Sequence, residues 1–338
     1  MSASAGSESL RIALVHPGFL GDTVFLGPGV RALKARWPDA RVAVVTTPRG
    51  EAVARLLPGC DEVLVYDKRK ADAGPSGLWR IGARLRAFRP DLALVSHYSP
   101  RSGALAWLSR APRRIGYAPF CTERVELDRT RPFVDRALVL AARAGAPSDD
   151  RRLRLEAPAD GDGYAARVLA RAAHPVVGLV PGAEWATKRW GPDKYAILAA
   201  SLTRAGATIV LLGGPAERET AARIAELAEL PMVDTTGNSV AEALAVLARC
   251  DLVVGGDTGL VHCARALGRR ALAIFGPTDP ARHVFADGEQ PVRLGLDCQP
   301  CHDHGPERCP LGHHHCMTLL SAQAVTEAAR GLLDAPAA

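Results

Sequence analysis

The chain has 338 residues, 48% of them apolar and 23% charged, with a net charge of +6 and eight cysteines. That length and apolar content suit two folded domains and exclude a disordered or fibrous chain. Residues 1–9 are small and polar and lack the apolar stretch of a secretory leader. No run approaches ~18 uninterrupted apolar residues, so a cytoplasmic location is expected.

The positive charge is concentrated in the first half, and the second half is slightly acidic. A basic first half suits an acidic partner such as a phosphorylated lipid or an anionic membrane surface. A solvated arginine-rich surface explains the same charge. Aromatic residues are not interleaved with the basic ones as a base-stacking platform needs, so no nucleic-acid partner is expected.

In chain order, residues 11–16 (Arg-Ile-Ala-Leu-Val-His) read as a buried strand and 22–36 as a helix ending before Trp37-Pro38. Residues 41–46, 62–66 and 91–96 read as further strands, with a helix at 77–88. The pattern restarts after a linker at 156–174 rich in Ala, Gly, Asp and Pro. Strands at 175–181, 208–213, 251–254 and 270–275 then alternate with helices at 192–204, 216–230, 239–249 and 259–267. Aliphatic strands with helical spacers imply parallel sheets covered on both faces. The expected fold class is α/β: two Rossmann-like doubly wound domains, 1–160 and 161–338, with a central cleft. Ligands in such sheets bind beyond the carboxyl ends of strands. The loops at 17–22, 181–188, 213–217 and 255–259 all follow strands.

Gly18-Phe19-Leu20-Gly21-Asp22 puts a carboxylate at a helix start, either as an N-cap or as a general base. Gly18 and Gly21 do not make the dinucleotide Gly-x-Gly-x-x-Gly pattern. Thr187-Lys188 pairs a hydroxyl with a point charge, as a diphosphate clamp needs; a solvated surface pair is the plainer alternative. Glu217, just inside a helix, suits either a ribose hydroxyl or the helix dipole. Asp257-Thr258-Gly259 opens a helix after a strand, where free N–H groups attract anions. Asp257 is ill-suited to a phosphate, so a sugar hydroxyl is the better partner; an N-cap role is the plainer one.

Several pieces in this order resemble glycosyltransferase family 9, the bacterial heptosyltransferases. They are the 18–22 segment, Pro181-Gly182-Ala183 with Lys188-Arg189-Trp190, Gly213-Gly214 with Glu217, Gly256-Asp257-Thr258-Gly259-Leu260-Val261-His262, and Phe275-Gly276-Pro277-Thr278-Asp279-Pro280. Gly191 stands where the family usually has proline, and Pro192 follows it. The tail, Cys298-Gln-Pro-Cys301, Cys309-Pro-Leu-Gly-His313 and Cys316-Met317, is similar to that of heptosyltransferase II-type members.

The resemblance implies a GT-B architecture, with the acceptor on the first domain and an ADP-sugar on the second. The last helix, about 322–333, is expected to pack toward the first domain. It implies an inverting single displacement with Asp22 as base and with no cofactor or catalytic metal. Lys188 and the Thr258-Gly259 helix opening would stabilise the leaving diphosphate. Thr187, Asp257 and Glu217 would hold the donor. Gly18, Gly21, Arg113 and Arg114 would meet the acceptor, a phosphorylated heptosyl-Kdo2-lipid A core. That acceptor implies peripheral contact with the inner face of the inner membrane.

Cys298, Cys301, Cys309 and Cys316, with five histidines among them, allow a structural zinc site. Reduced structural thiols and a redox role stay open beside it. His262 is read as a support for the loop. Alternative functions are a family 9 enzyme with another sugar or acceptor, a nucleotide-sugar epimerase, and a non-catalytic nucleotide- or zinc-binding adaptor.

Overall fold

The computed structural model describes residues 9–336. Residues 1–8, on which most of the leader reading rests, lie outside them. The chain divides into two compact units, Met1–Leu155 and Glu156–Ala338. The division falls just before the expected one because Leu155 still packs on the first unit's core.

The first unit holds strands β1 (Arg11–Val15), β2 (Arg41–Thr46), β3 (Glu62–Val65), β4 (Leu92–Val95), β5 (Arg113–Gly116) and β6 (Glu123–Arg124). Its helices are α1 (Leu20–Val24), α2 (Gly27–Arg36), α3 (Glu51–Arg55), α4 (Gly74–Ala87), α5 (Pro100–Leu108) and α6 (Asp135–Ala144). The second unit continues with strands β7 (Val176–Val180), β8 (Thr208–Leu211), β9 (Val233–Asp234), β10 (Leu252–Gly256), β11 (Arg270–Ile274) and β12 (Glu289–Val292). Its helices are α7 (Asp162–Val168), α8 (Pro192–Arg204), α9 (Arg218–Ala228), α10 (Val240–Leu247), α11 (Gly259–Ala266), α12 (His315–Thr318) and α13 (Ala322–Asp334).

Both sheets are parallel, in the orders β3-β2-β1-β4-β5-β6 and β12-β11-β10-β7-β8-β9. Each is the doubly wound order, in which the winding reverses at β1/β4 and again at β7/β10. Strand alternation explains the two-sided core of the first sheet. Ile12 and Leu14 join one apolar cluster, and Ala13 and Val15 join the other.

The helix expected over 22–36 is two helices. Phe25 and Leu26 separate them, and Pro28 sits in the first turn of α2, where a missing N–H costs nothing. Asp22 consequently lies inside α1. The last helix packs on the second unit. The apolar stripe of α13, with Val325 and Ala329 fully buried, completes the second unit's own core. Trp190 Nε1 donates to Leu320 O at 3.0 Å just ahead of it. Among the described residues, no helix is long and apolar enough to cross a membrane.

Candidate functional site

Each sheet gathers its chemistry at its own reversal point. In the first unit, His16 follows β1 and Ser96 follows β4, and His16 Nδ1 lies 2.7 Å from Ser96 Oγ. The chain then turns through Pro17 and Gly18 into α1. A Cβ at Gly18 would lie 2.6 Å from His16 Nε2 and 2.8 Å from Asp22 Oδ2, so only glycine lets the backbone pass over this pair. Phe19 N–H donates to Asp22 Oδ2 at 3.1 Å, and Lys68 Nζ donates to Pro17 O at 2.7 Å. The turn is therefore held from both sides.

Asp22 points back toward the sheet, with Oδ2 3.8 Å from His16 Nε2. Phe25, Leu26, Phe133 and Ala137 line the pocket beside it, with Arg136 at its edge. Burial pushes the Asp22 carboxyl up, but the His16 ring, the Phe19 N–H and Arg136 outweigh it and hold the group well below the usual carboxylate range. Asp22 is therefore ionised and accessible to a hydroxyl.

The other residues assigned to the acceptor fare differently. Gly21 lies within α1 and its carbonyl accepts from Phe25 N. Arg113 pairs with Glu123 at 2.6 Å and donates to the Arg143 and Ala144 carbonyls. Arg114 donates to Phe120 O and Ala111 O. Arg113 thus ties β6 to the end of α6, and Arg114 ties the loops on either side of β5.

In the second unit, β10 ends on Gly256, Asp257 follows it, and Thr258 caps α11 in an extended conformation. Asp257 is buried with both oxygens engaged. Oδ2 accepts from Lys188 Nζ at 2.6 Å and from Thr278 Oγ1 at 2.8 Å, and Oδ1 accepts from His262 Nε2 at 2.9 Å. Lys188 Nζ also donates to Asp257 O at 3.2 Å. The close approach of the Lys188 loop to β10 requires Gly256, whose Cβ would lie 2.7 Å from Lys188 O. Burial pushes Asp257 up, yet Lys188, His283 and His262 bring it well below the carboxylate range. Asp257 thus holds Lys188, Thr278 and His262 together.

His283 stacks on His262 with ring centroids 4.7 Å apart, and burial holds both below their usual range. Among the described residues, Asp257, His262 and His283 form the group whose ligand atoms all lie within 4.8 Å of one another. Lys188 already balances the carboxylate charge there, so the chemistry is that of a buried ion pair.

Thr187 is buried, its hydroxyl donates to Pro306 O, and its carbonyl accepts from His314 Nε2 at 2.8 Å. Glu217 Oε2 accepts from Gly214 N at 2.8 Å, and the side chain lies against Gly182, where a Cβ would meet it at 2.3 Å. Glu217 thus fastens the Gly182 and Gly213 loops together.

The cysteine-rich segment straps this site. Cys301 N and His302 N donate to Pro277 O, Gln299 Nε2 donates to Gly276 O at 2.6 Å, and Gly305 packs against Lys188 Cε. The four thiols are electrostatic neighbours: burial and then the other cysteines push Cys316 up to about 11. Cys309 moves the other way because backbone N–H groups, that of His314 first, donate to its sulfur. Among the described residues, the group whose ligand atoms lie within 4.8 Å of one another does not include these thiols. The segment's visible role is mechanical.

Sequence reasoning missed His16, Ser96, Arg265 and His283. His16 ends a strand and His283 lies outside any motif, so neither had a local signal; both matter only through what folding brings beside them.

The model of glycosyltransferase family 9 (heptosyltransferase) matches residues 78–309. Lipopolysaccharide heptosyltransferase 2 of Salmonella typhimurium is 26% identical, over 96% of this chain and 99% of the relative. Lipopolysaccharide heptosyltransferase 1 of Pseudomonas aeruginosa is 30% identical, over 86% of each chain. The crystal structure of a family 9 glycosyltransferase from Veillonella parvula has the same fold at a TM-score of 0.85 and 23% identity, over 96% of this chain and 97% of that one. An ionised carboxylate at one reversal point, a clamped lysine at the other and this breadth of similarity lead to one conclusion: the chain is an enzyme of glycosyltransferase family 9, the heptosyltransferases.

Proposed function

We propose that the enzyme moves a heptose from ADP-L-glycero-β-D-manno-heptose to heptosyl-Kdo2-lipid A, with inversion at the anomeric carbon. The observation that carries this reading is the buried Lys188–Asp257 pair, 2.6 Å apart, at the opening of α11. A fixed ammonium beside a helix N-terminus opposes charge that develops on a leaving diphosphate. Thr258 and Gly259, at that N-terminus, lie where the diphosphate would meet backbone N–H groups. Asp22 accepts the proton of the attacking hydroxyl. The likeness to heptosyltransferase 2 enzymes supports the acceptor. The basic first half of the chain supports an anionic lipid partner and peripheral contact with the inner membrane face.

The 30% identical heptosyltransferase 1 relative favours a second acceptor, Kdo2-lipid A without heptose. One experiment separates the two. ADP release from ADP-heptose is measured with each lipid, followed by mass spectrometry. ADP that appears only with the heptosylated lipid, together with a product heavier by one heptose, supports the proposal. Transfer to the unheptosylated lipid alone replaces it. ADP release without any acceptor, or none with either lipid, sinks both.

A further inference from the structure

His16 is 4% exposed, and among the described residues its Nε2 has no hydrogen-bond partner although the atom is buried. A buried ring nitrogen left without a partner is uncommon, because the cost of desolvating it is not offset. The nitrogen is not aimed at packed hydrocarbon. It faces Asp22 Oδ2 across 3.8 Å, at the pocket between Phe25, Phe133 and Arg136. That gap is too long for a direct hydrogen bond but suits a third atom: an oxygen ~2.8 Å from each would sit over the pair with ordinary geometry. Gly18 roofs the same spot, and any side chain there would strike both atoms.

We propose that His16 is the positioning partner of Asp22, and that Nε2 and Asp22 Oδ2 together seat one hydroxyl of the acceptor sugar. This rests on the transferase reading above and goes beyond it by assigning a second group to the nucleophile. Ser96 Oγ, donating to Nδ1, leaves the ring proton on Nε2, directed at the hydroxyl oxygen. The hydroxyl in turn directs its own proton to Asp22. As an oxygen lone pair bonds to the anomeric carbon, the bond from that carbon to the phosphate oxygen breaks and its electron pair leaves with the diphosphate. The hydroxyl proton passes to Asp22, and from there to water as the product departs.

His16 also bears on the ionisation of Asp22. The charged and titratable groups that face Asp22 are His16 at the end of β1, His97 after β4, Lys68 after β3 and Arg136 on α6. The strongest influence after burial is His16. Without it, burial is less opposed and the Asp22 carboxyl is expected to rise.

The test compares wild type, His16→Gln and His16→Ala with ADP-heptose and heptosyl-Kdo2-lipid A from pH 5 to 9. His16→Ala is expected to lose on the order of 10- to 100-fold in kcat/KM for the lipid. His16→Gln, which keeps an N–H donor, is expected to retain more. ADP affinity is expected to be unchanged by calorimetry. A ¹³C-carboxyl titration of Asp22 is expected to move upward in both variants. An unchanged carboxyl titration would overturn the proposal, even if activity fell, because a loss that leaves Asp22 unaffected does not move it. Wild-type kinetics in His16→Ala would overturn it as well. If wild type transfers nothing to either lipid, the transferase reading fails separately, and the carboxyl titration still decides whether His16 governs Asp22.

Discussion

Arg265 Nη1 lies 3.1 Å from His262 Nδ1 inside the second unit. A guanidinium only donates, so Nδ1 must carry a lone pair and the ring proton must be on Nε2. That proton is donated to Asp257 Oδ1 at 2.9 Å. Glu289 holds Arg265 Nε at 2.9 Å, and Phe285 lies 4.4 Å beneath its guanidinium. A single buried chain of donors and acceptors thus runs from Glu289 through Arg265, His262 and Asp257 to Lys188, and it fixes every proton along the way.

Breaking that chain at its far end is expected to destabilise the enzyme. Glu289→Gln or Arg265→Met leaves one buried charge without its partner, at a cost of about 3–5 kcal/mol. The double variant removes both charges and is expected to recover most of the loss. Chemical denaturation of the three variants checks this; equal losses in single and double variants would count against it.

Lys188→Met is expected to weaken ADP on the order of 10- to 100-fold, the worth of a charged hydrogen-bond donor lost from a largely buried site. Calorimetry with ADP measures it. An unchanged affinity would remove Lys188 from the diphosphate site.

Asp22→Asn keeps the shape of the turn and removes the proton acceptor. Turnover is expected to fall about 10²- to 10⁴-fold with ADP affinity intact. Near-normal turnover would exclude Asp22 as the base.

Gly18→Ala tests the roof over His16 and Asp22. The new methyl would stand 2.6 Å from His16 Nε2, so one side chain must move. Lipid-dependent transfer is expected to drop while ADP binding, proposed for the other unit, holds. The comparison is made by steady-state kinetics beside calorimetry.

Acid stability follows from the buried groups. Burial lowers His97 to about 3, and it holds His283 well below its usual range, so both are neutral in the fold and take up protons on unfolding. A lowered pKa gives stability that is complete above the unfolded value, near 6.5 for histidine, and is lost as pH falls toward the folded value. Asp257 adds the same sign below about 4. Stability is expected to be level above pH 7 and to decline steadily from about pH 6.5 downward. His97→Gln should flatten the upper part of that decline, as read by denaturation at a series of pH values.

The sequence alone determined the doubly wound α/β units, because aliphatic strands and helical spacers alternate with local periods that burial imposes on any chain. It also marked the loops that follow strands and bear a charged group: Asp22 beside Gly21, Asp257 beside Gly256, and Lys188 in the loop after β7. Only the tertiary structure decided what those residues do. The partners of Thr187 and Glu217, Pro306 O and Gly214 N, are supplied by the fold and could not be read from their own loops. The partners of Arg113 and Arg114 are likewise supplied by the fold. His16 carried no signal at all: its neighbours are Ser96, eighty residues away, and Asp22 around a tight turn. A side chain's partners are set by which strands lie adjacent, and adjacency at β1/β4 and β7/β10 is a property of the sheet order, not of any local run of residues.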